Sequence, residues 1–293
     1  MSKIFAKSKL KYDSYLLICI YTLIPLIIFG FYKNGINLYF KGLVSLIYII
    51  KPLLFPAISL VVGIGYLLIF KDKDHNKALI YYNLLISLCI SINTNIWLYL
   101  GLIVLLDLIY ILFLKKLSIN FVALSILIIG LVSYLIKDYS FYNHYEIINN
   151  HSYGIIDFLI GRSIGGVATT NIILLLINVL ILSFLPYYKK DIAIMGLIIY
   201  FVCSLWGFVI GYNLNEIINL LCSYSVVFAI IYIAPINNYS PKKERNRYLY
   251  IAIICVLAFI LVYFFNNVFA AYISILGVNI LSILQKLFLK KRK

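Results

Sequence analysis

IWLYLGLIVLLDLIYILFL, residues Ile96–Leu114, is an unbroken apolar run with a single charge, Asp107. At about 1.5 Å of rise per residue, a helix of this length reaches roughly across the hydrocarbon core of a bilayer. A helix on the surface of a water-soluble domain needs a polar face. This run has none, so its natural solvent is lipid.

Working outward, nine further runs have the same character. They are Ser14–Tyr32, Leu43–Phe70, Ala78–Ile92, Ser118–Ile136, Ile164–Leu185, Ile192–Gly211, Glu216–Ala234, Arg247–Phe265 and Val268–Leu287. Only a helix or a closed barrel satisfies its backbone inside lipid. The sequence therefore predicts an all-α polytopic membrane protein of about ten transmembrane helices. Composition agrees: 64% of the residues are hydrophobic, 12% are charged, and the mean hydropathy is +1.03. A soluble domain is about half apolar and a quarter charged. The longest polar interruption, Lys137 to Tyr153, is too short for a separate soluble module, so residues 1–293 read as a single integral membrane domain. The first run is long enough to span and no A-x-A-like site follows it, so it is not expected to be a cleaved signal peptide.

The charge pattern orients the runs. Starting with the N-terminus inside and alternating, the inner segments collect Lys3, Lys7, Lys9 and Lys11, then Lys71, Lys73 and Lys77, then Lys115 and Lys116. In the second half they collect Lys189 and Lys190, then Lys242, Lys243, Arg245 and Arg247, and last Lys286, Lys290, Lys291, Arg292 and Lys293. The outer segments hold only Lys33, Lys41, Lys137 and Arg162. This bias predicts both termini in the cytoplasm. It also accounts for the net charge of +15 without nucleic acid as a partner; the partner implied is the lipid bilayer.

Ten helices divide into two halves of five, residues 14–136 and 155–287. Five is odd, so the second half enters the membrane inverted relative to the first, an arrangement common in transport proteins. The third run of each half is irregular. Ala78–Ile92 is short and ends in Asn93-Thr94-Asn95, and Glu216–Ala234 ends at Pro235. Interrupted helices at matching positions point to a central site, although ordinary short helices with polar caps would look the same.

Two charges lie within apolar runs, Lys51 and Asp107. Charge at membrane depth tends to be paired and functional. Counted from the outer face, the two fall at similar depths, which predicts an ion pair lining a polar path if their helices touch. A purely structural pair, or Lys51 snorkelling outward beside Pro52, is the alternative. The segment Gly161-Arg162-Ser163-Ile164-Gly165-Gly166-Val167-Ala168-Thr169-Thr170-Asn171 leads into a long Ile/Leu run. Glycines allow close approach and a helix start offers free N–H groups to an anion. Gly165, Gly166, Thr169, Thr170 and Asn171 are the candidate binding residues; a capped tight turn is the alternative. His75, His144 and His151 are too sparse for a metal site, and Cys19, Cys89, Cys203, Cys222 and Cys255 show neither zinc nor disulfide spacing. Tyrosines at run ends, such as Tyr32, Tyr187, Tyr188 and Tyr248, read as an interfacial belt.

Three passages resemble the RnfD/NqrB family, the large membrane subunit of ion-translocating redox complexes of bacterial plasma membranes. Gly165-Gly166-Val167-Ala168-Thr169-Thr170-Asn171 is similar to the family's G-x-I-G-E-T-S. Phe228 to Pro241, with Pro235, looks like its F-x-A-T-D-P-V-T-S-P, and Arg247-Tyr248-Leu249-Tyr250 like the G-R-x-I-Y that follows. The helix ending at Asn93 and the next beginning at Trp97 resemble the T-G-L-L-L-A-L-x-L-P turn and the helix after it. The likeness covers nearly the whole chain, but the motifs are degraded. Thr169 stands where the family has Glu, and Ala234 where it has Asp. The family's S-G-A-T, which carries covalent FMN on threonine, is missing from the Lys137–Gly161 loop.

The resemblance implies a shortened, divergent membrane subunit taking part in transmembrane electron transfer and coupled ion transport through flavin. FMN or riboflavin would bind noncovalently near Gly165–Asn171, and Lys51 and Asp107 would form the ion path. Partner subunits would hold the iron–sulfur and flavin centres, since this chain has no cysteine ligand set. A stand-alone permease, or a substrate-binding membrane component for a small anionic or vitamin-like solute, is the alternative.

Overall fold

The structure, a computed structural model, describes residues 12–70, 73–114, 118–136 and 154–291, without the side chains of 73–76 and 285–291. Lys3, Lys7, Lys9, Lys11, Lys71, Lys115, Lys116, Arg292, Lys293 and the 137–153 loop with Lys137, His144 and His151 lie outside the described residues. So do the side chains of Lys73, His75, Lys286, Lys290 and Lys291.

Every regular element among the described residues is helical. The first half comprises α1 (Tyr12–Phe31), α2 (Lys51–Ile69), α3 (Lys73–Cys89), α4 (Ile96–Leu112) and α5 (Phe121–Leu135). A short helix α6 (Ile155–Ile160) precedes the second half: α7 (Ile172–Ser183), α8 (Lys190–Leu205), α9 (Leu214–Cys222), α10 (Val226–Phe228), α11 (Glu244–Tyr263) and α12 (Ala270–Lys291). Two π-helical stretches interrupt this series, Tyr32–Ile36 after α1 and Ala229–Ile233 after α10.

Asparagine starts several of these helices. The side-chain oxygens of Asn95, Asn120, Asn171 and Asn213 accept from first-turn N–H groups of α4, α5, α7 and α9. Such caps satisfy donors that have no partner within the helix. The packing of α1 then shows what solvates the bundle. One face buries Leu16, Cys19, Leu23 and Leu26, and the opposite face exposes Leu17, Tyr21, Ile24 and Ile28. Both faces are apolar. On α8, Ile194, Ile198, Phe201 and Val202 are likewise exposed. Outward apolar surface on this scale is suited to lipid tails and not to water.

Among the described residues, four helical stretches are long and apolar enough to cross a membrane: Tyr12–Phe40, Leu46–Ile69, Lys190–Ile210 and Glu244–Tyr263. A fifth is formed if Leu214–Cys222 and Val226–Ile233, bent by 48°, count as one span. Five shorter apolar helices accompany them. The expected runs differ from the helices in three places. The second run is a 3-10 turn, Leu46–Ile50, before α2 begins at Lys51. The sixth becomes helical only at Ile172, because the chain from Gly161 to Asn171 is an irregular loop. The eighth is broken at Ser223–Ser225, where Tyr224 and Ser225 both take positive φ, 57°.

Side-chain contacts define two ends. At one, Asp13 at the start of α1 pairs with Lys77 near the start of α3, and Tyr12 and Tyr15 meet Tyr187 before α8. Arg247 at the start of α11 pairs with Asp191 at the start of α8, at 3.0 Å. This is the Lys189 end. At the other, Lys33 beyond α1 reaches the 161–171 loop, Tyr48 bonds Asn93, and Tyr212 bonds the Tyr263 carbonyl. This is the Lys33 end. Between the ends, α1 packs on α7 and α5 on α12, while α2, α3 and α4 pack within the first half and α8, α11 and α12 within the second.

Candidate functional site

Four irregular stretches of backbone converge toward the Lys33 end: the π-turn Tyr32–Ile36, the C-terminus of α3, the 161–171 loop and the break at Ser223–Ser225. A π-turn adds a residue to the helical circuit and re-aims its side chains, a feature common at functional sites. Here it buries Lys33, which is 5% exposed. Lys33 Nζ donates to the Ser163 carbonyl at 2.8 Å and to Thr170 Oγ1 at 3.2 Å. Asn34 Nδ2 donates to the Val167 carbonyl at 2.7 Å.

The end of α3 and the 161–171 loop satisfy each other. Val167 N–H donates to the Ile90 carbonyl at 3.0 Å, and Ala168 N–H to the Leu88 carbonyl at 3.2 Å. These carbonyls close a helix that ends inside the protein, where an unpaired group would be costly. Gly166 makes the approach feasible, because a Cβ there would stand 2.5 Å from the Leu88 oxygen. Gly161 turns the chain at φ 109°, a left-handed conformation that favours glycine.

The break before α10 is tied to the same loop. Tyr224 N–H donates to the Ile164 carbonyl at 2.7 Å, and Ser163 Oγ donates to the Cys222 carbonyl at 3.0 Å. Ser225 Oγ accepts from Gly166 N–H at 3.3 Å and shares a 2.5 Å hydrogen bond with Thr169 Oγ1. Irregular backbone at this depth is tolerated where protein supplies every partner.

The candidate residues Gly165, Gly166, Thr169, Thr170 and Asn171 therefore lie together. Thr169 and Thr170 are fully buried. Thr170 Oγ1 donates to the Gly161 carbonyl at 2.8 Å, and Asn171 Oδ1 accepts from Leu174 N–H of its own helix at 2.9 Å. A flavin phosphate would need these hydroxyls and N–H groups, and in this packing they are bonded within the protein. The turn as packed does not fit FMN.

Lys51 and Asp107 are not brought together. Helices α2 and α4 run side by side in the same direction: Ser59 Oγ lies 2.5 Å from Tyr99 Oη, and Tyr66 Oη donates to the Val104 carbonyl. That register sets Lys51 near the start of both helices and Asp107 close to the far end of α4, roughly 25 Å further along at the helical rise. Depth counted from the edge of the apolar run misleads because the run begins in a 3-10 turn. Lys51 is the first residue of α2, with its ammonium 5.3 Å from the Tyr48 ring. Asp107 is 0% exposed and accepts from Asn83 Nδ2 of α3 at 2.6 Å.

At the Lys189 end a cleft of about 830 Å³ opens between α11, α12 and the 237–243 segment. Asn237, Asn238, Ser240, Lys242, Lys243 and Asn246 line its polar side, with Leu249, Ile253 and Leu281 on the apolar side. Lys189 closes off the carbonyls behind it, donating to Asn237, Ser240 and Pro241. Burial, with Arg247 nearby, lowers its pKa to about 8.

Sequence reasoning missed Lys33, Asn34 and Ser225. Lys33 reads as a loop charge at the end of a run, and nothing local announces a π-turn. The break did leave a signal, because Ser223-Tyr224-Ser225 interrupts an otherwise apolar stretch. Compared with known proteins, the chain matches no family model, and no curated protein matches it significantly.

Proposed function

We propose that this chain is a membrane subunit of an Rnf/Nqr-like redox complex, taking part in transmembrane electron transfer and coupled ion transport in a bacterial plasma membrane. In this reading it crosses the membrane about ten times as two inverted halves, residues 14–136 and 155–287, with both termini in the cytoplasm. The alternation of helices between the Lys33 and Lys189 ends supports the ten passes. The contacts of α1 with α7 and of α5 with α12, helices at equivalent positions in the two halves, support the inverted repeat.

One observation carries the reading. The three passages similar to RnfD/NqrB are far apart in sequence yet meet in space. Val167 and Ala168 of the first bond Ile90 and Leu88 of the third. Thr169 of the first bonds Ser225, at the head of the helix that continues into the second. Degraded motifs that still form one joint are what a divergent relative would keep. The joint gives a membrane complex a rigid crossing of broken helices whose backbone groups are satisfied within the protein. Electron-carrying centres, flavin and iron–sulfur, are assigned in this reading to partner subunits, because the turn's own donors are bonded internally.

The test is purification of the tagged chain from its own membranes in mild detergent, followed by mass spectrometry, iron analysis and flavin fluorescence. Copurifying iron–sulfur and flavoprotein subunits are expected. A homogeneous, colourless chain with no redox partner would overturn the reading. The 830 Å³ cleft favours a second reading, a permease for a small anionic solute, through its paired Lys242 and Lys243. Saturable binding of such a solute to the colourless chain would select it.

A further inference from the structure

We propose that Asp107 and Asn83 form a proton-binding site inside the bundle, in which Asp107 rests as the neutral acid and its proton is shared with Asn83. The inference rests only on α3 and α4 being embedded in the membrane, not on any redox partner.

The observation behind it is a shortage of donors. Asp107 and Asn83 are each 0% exposed. One hydrogen bond joins them, Asn83 Nδ2 donating to Asp107 Oδ2 at 2.6 Å. The second carboxyl oxygen, Asp107 Oδ1, and the amide oxygen, Asn83 Oδ1, are both buried without any partner. Two orphaned acceptors on one bonded pair are rare in folded proteins and call for an explanation. A proton on Asp107 Oδ1 supplies it: the new O–H donates, and the Asn83 oxygen is the acceptor left over. Turning the Asn83 amide over does not remove the shortage, since it sets two oxygens face to face.

Neighbouring groups do not fill the gap. Tyr66 Oη of α2 is committed to the Val104 carbonyl, and Tyr99 Oη is in a bond with Ser59. Among the described residues, the ionisable groups that sense Asp107 are the phenols Tyr66 on α2 and Tyr99 and Tyr110 on α4; its partner on α3, Asn83, carries no charge. On α5, which packs beside α4, the buried polar residues Ser125 and Ser133 carry no charge either. An isolated carboxylate buried with one hydrogen bond is strongly disfavoured, and it neutralises instead.

A cluster of tyrosines lies next to the pair, toward the Lys189 end. Tyr82 precedes Asn83 on α3, and Tyr110 lies one turn from Asp107 on α4. The Tyr82 ring is 6.2 Å from Tyr110 and 6.0 Å from Tyr239, and its hydroxyl accepts from Asn238. Asn238 and Tyr239 line the cleft at the Lys189 end. The proton would come from a hydronium ion on the water side of that cleft, whose O–H bond breaks, leaving water, as the O–H bond to Asp107 Oδ1 forms; release reverses the step.

The test is infrared spectroscopy of the full chain in lipid nanodiscs, grown with ¹³C-carboxyl aspartate, with sodium present and absent. Asp13, Asp157 and Asp191 are held in ion pairs with Lys77, Arg162 and Arg247. Asp72, Asp74 and Asp138 fall in polar stretches of sequence. A protonated-carboxyl band at neutral pH that shifts with the label is therefore expected from Asp107. It should vanish in Asp107→Asn and change frequency in Asn83→Leu, where the acceptor is gone. The labelled unsubstituted chain decides the matter should either variant fail to fold. Carboxylate bands alone at neutral pH would overturn the proposal. So would a protonated band that appears only when sodium is withdrawn, which would make this a sodium site.

Discussion

Gly166 is where two chain segments come closest, and a single methyl group tests the contact. Alanine there would set its Cβ 2.5 Å from the Leu88 oxygen and 2.7 Å from the Cys89 carbonyl carbon, both backbone atoms that cannot rotate away. Overpacking of this kind costs about 1–3 kcal/mol. Gly166→Ala should therefore lower the thermal midpoint in detergent. Gly101→Ala is the control: on α4 a Cβ at that position meets no atom within 4 Å. Removing a mid-helix glycine there should leave stability unchanged or raise it by about 0.5–1 kcal/mol. Equal losses at both positions would mean that the loop does not pack on α3. Lys189 offers a second test at this scale. Burial, then Arg247, brings its pKa down from 10.5 to about 8. Between those values the amine is neutral in the folded chain and charged in the unfolded one. The unfolded state then binds more protons, so this group makes stability rise with pH across that window. Competitive acylation of Lys189 should show a midpoint near 8, and a midpoint near 10.5 would contradict its burial.

Among the elements, the break between α9 and α10 carries the joint. Ser225 Oγ serves both Thr169 Oγ1 and Gly166 N–H. Ser225→Ala strands a buried N–H and a buried hydroxyl, at about 1–3 kcal/mol. Thr169→Val removes the hydroxyl from the same bond, so the double variant should lose less than the two single losses combined. Additive losses in thermal unfolding would show that the two residues do not interact. The long apolar helices were legible in the sequence because lipid imposes one signal, apolar length, and that signal does not depend on tertiary contacts. Ile96–Leu114 became α4 within two residues of its expected end. The joint was only half legible. Glycines and polar caps marked the 161–171 loop, but its partners are backbone carbonyls of α3, which carry no residue signature. The pairing of Lys51 with Asp107 was misjudged for a related reason. Apolar composition does not distinguish a 3-10 entry from a helix, and the starting level of α2 was wrong by the length of that entry.

At the scale of the whole molecule, the two ends decide the threading. Among the described residues, the longer helical stretches, the bent pair Leu214–Cys222 and Val226–Ile233 included, alternate in direction between the Lys189 end and the Lys33 end. Helix α1 starts beside Lys77 and Tyr187 at the Lys189 end. Asn279, well along α12, bonds Asn120 N–H and the Tyr239 carbonyl at that same end. In the proposed ten-pass reading an even number of passes lies between them, which puts the two termini on one side of the membrane. The described basic residues Lys189, Lys242, Lys243 and Arg247 gather at this end too, and positive charge is retained on the cytoplasmic face. Alkaline phosphatase fused to either terminus should therefore be inactive in intact cells, while a fusion within the 137–153 loop should be active. If a terminal fusion is active, one of the shorter helices, such as α7, does not cross. The halves would then lose their inverted relation, and the joint at Gly166 would have to form within one leaflet.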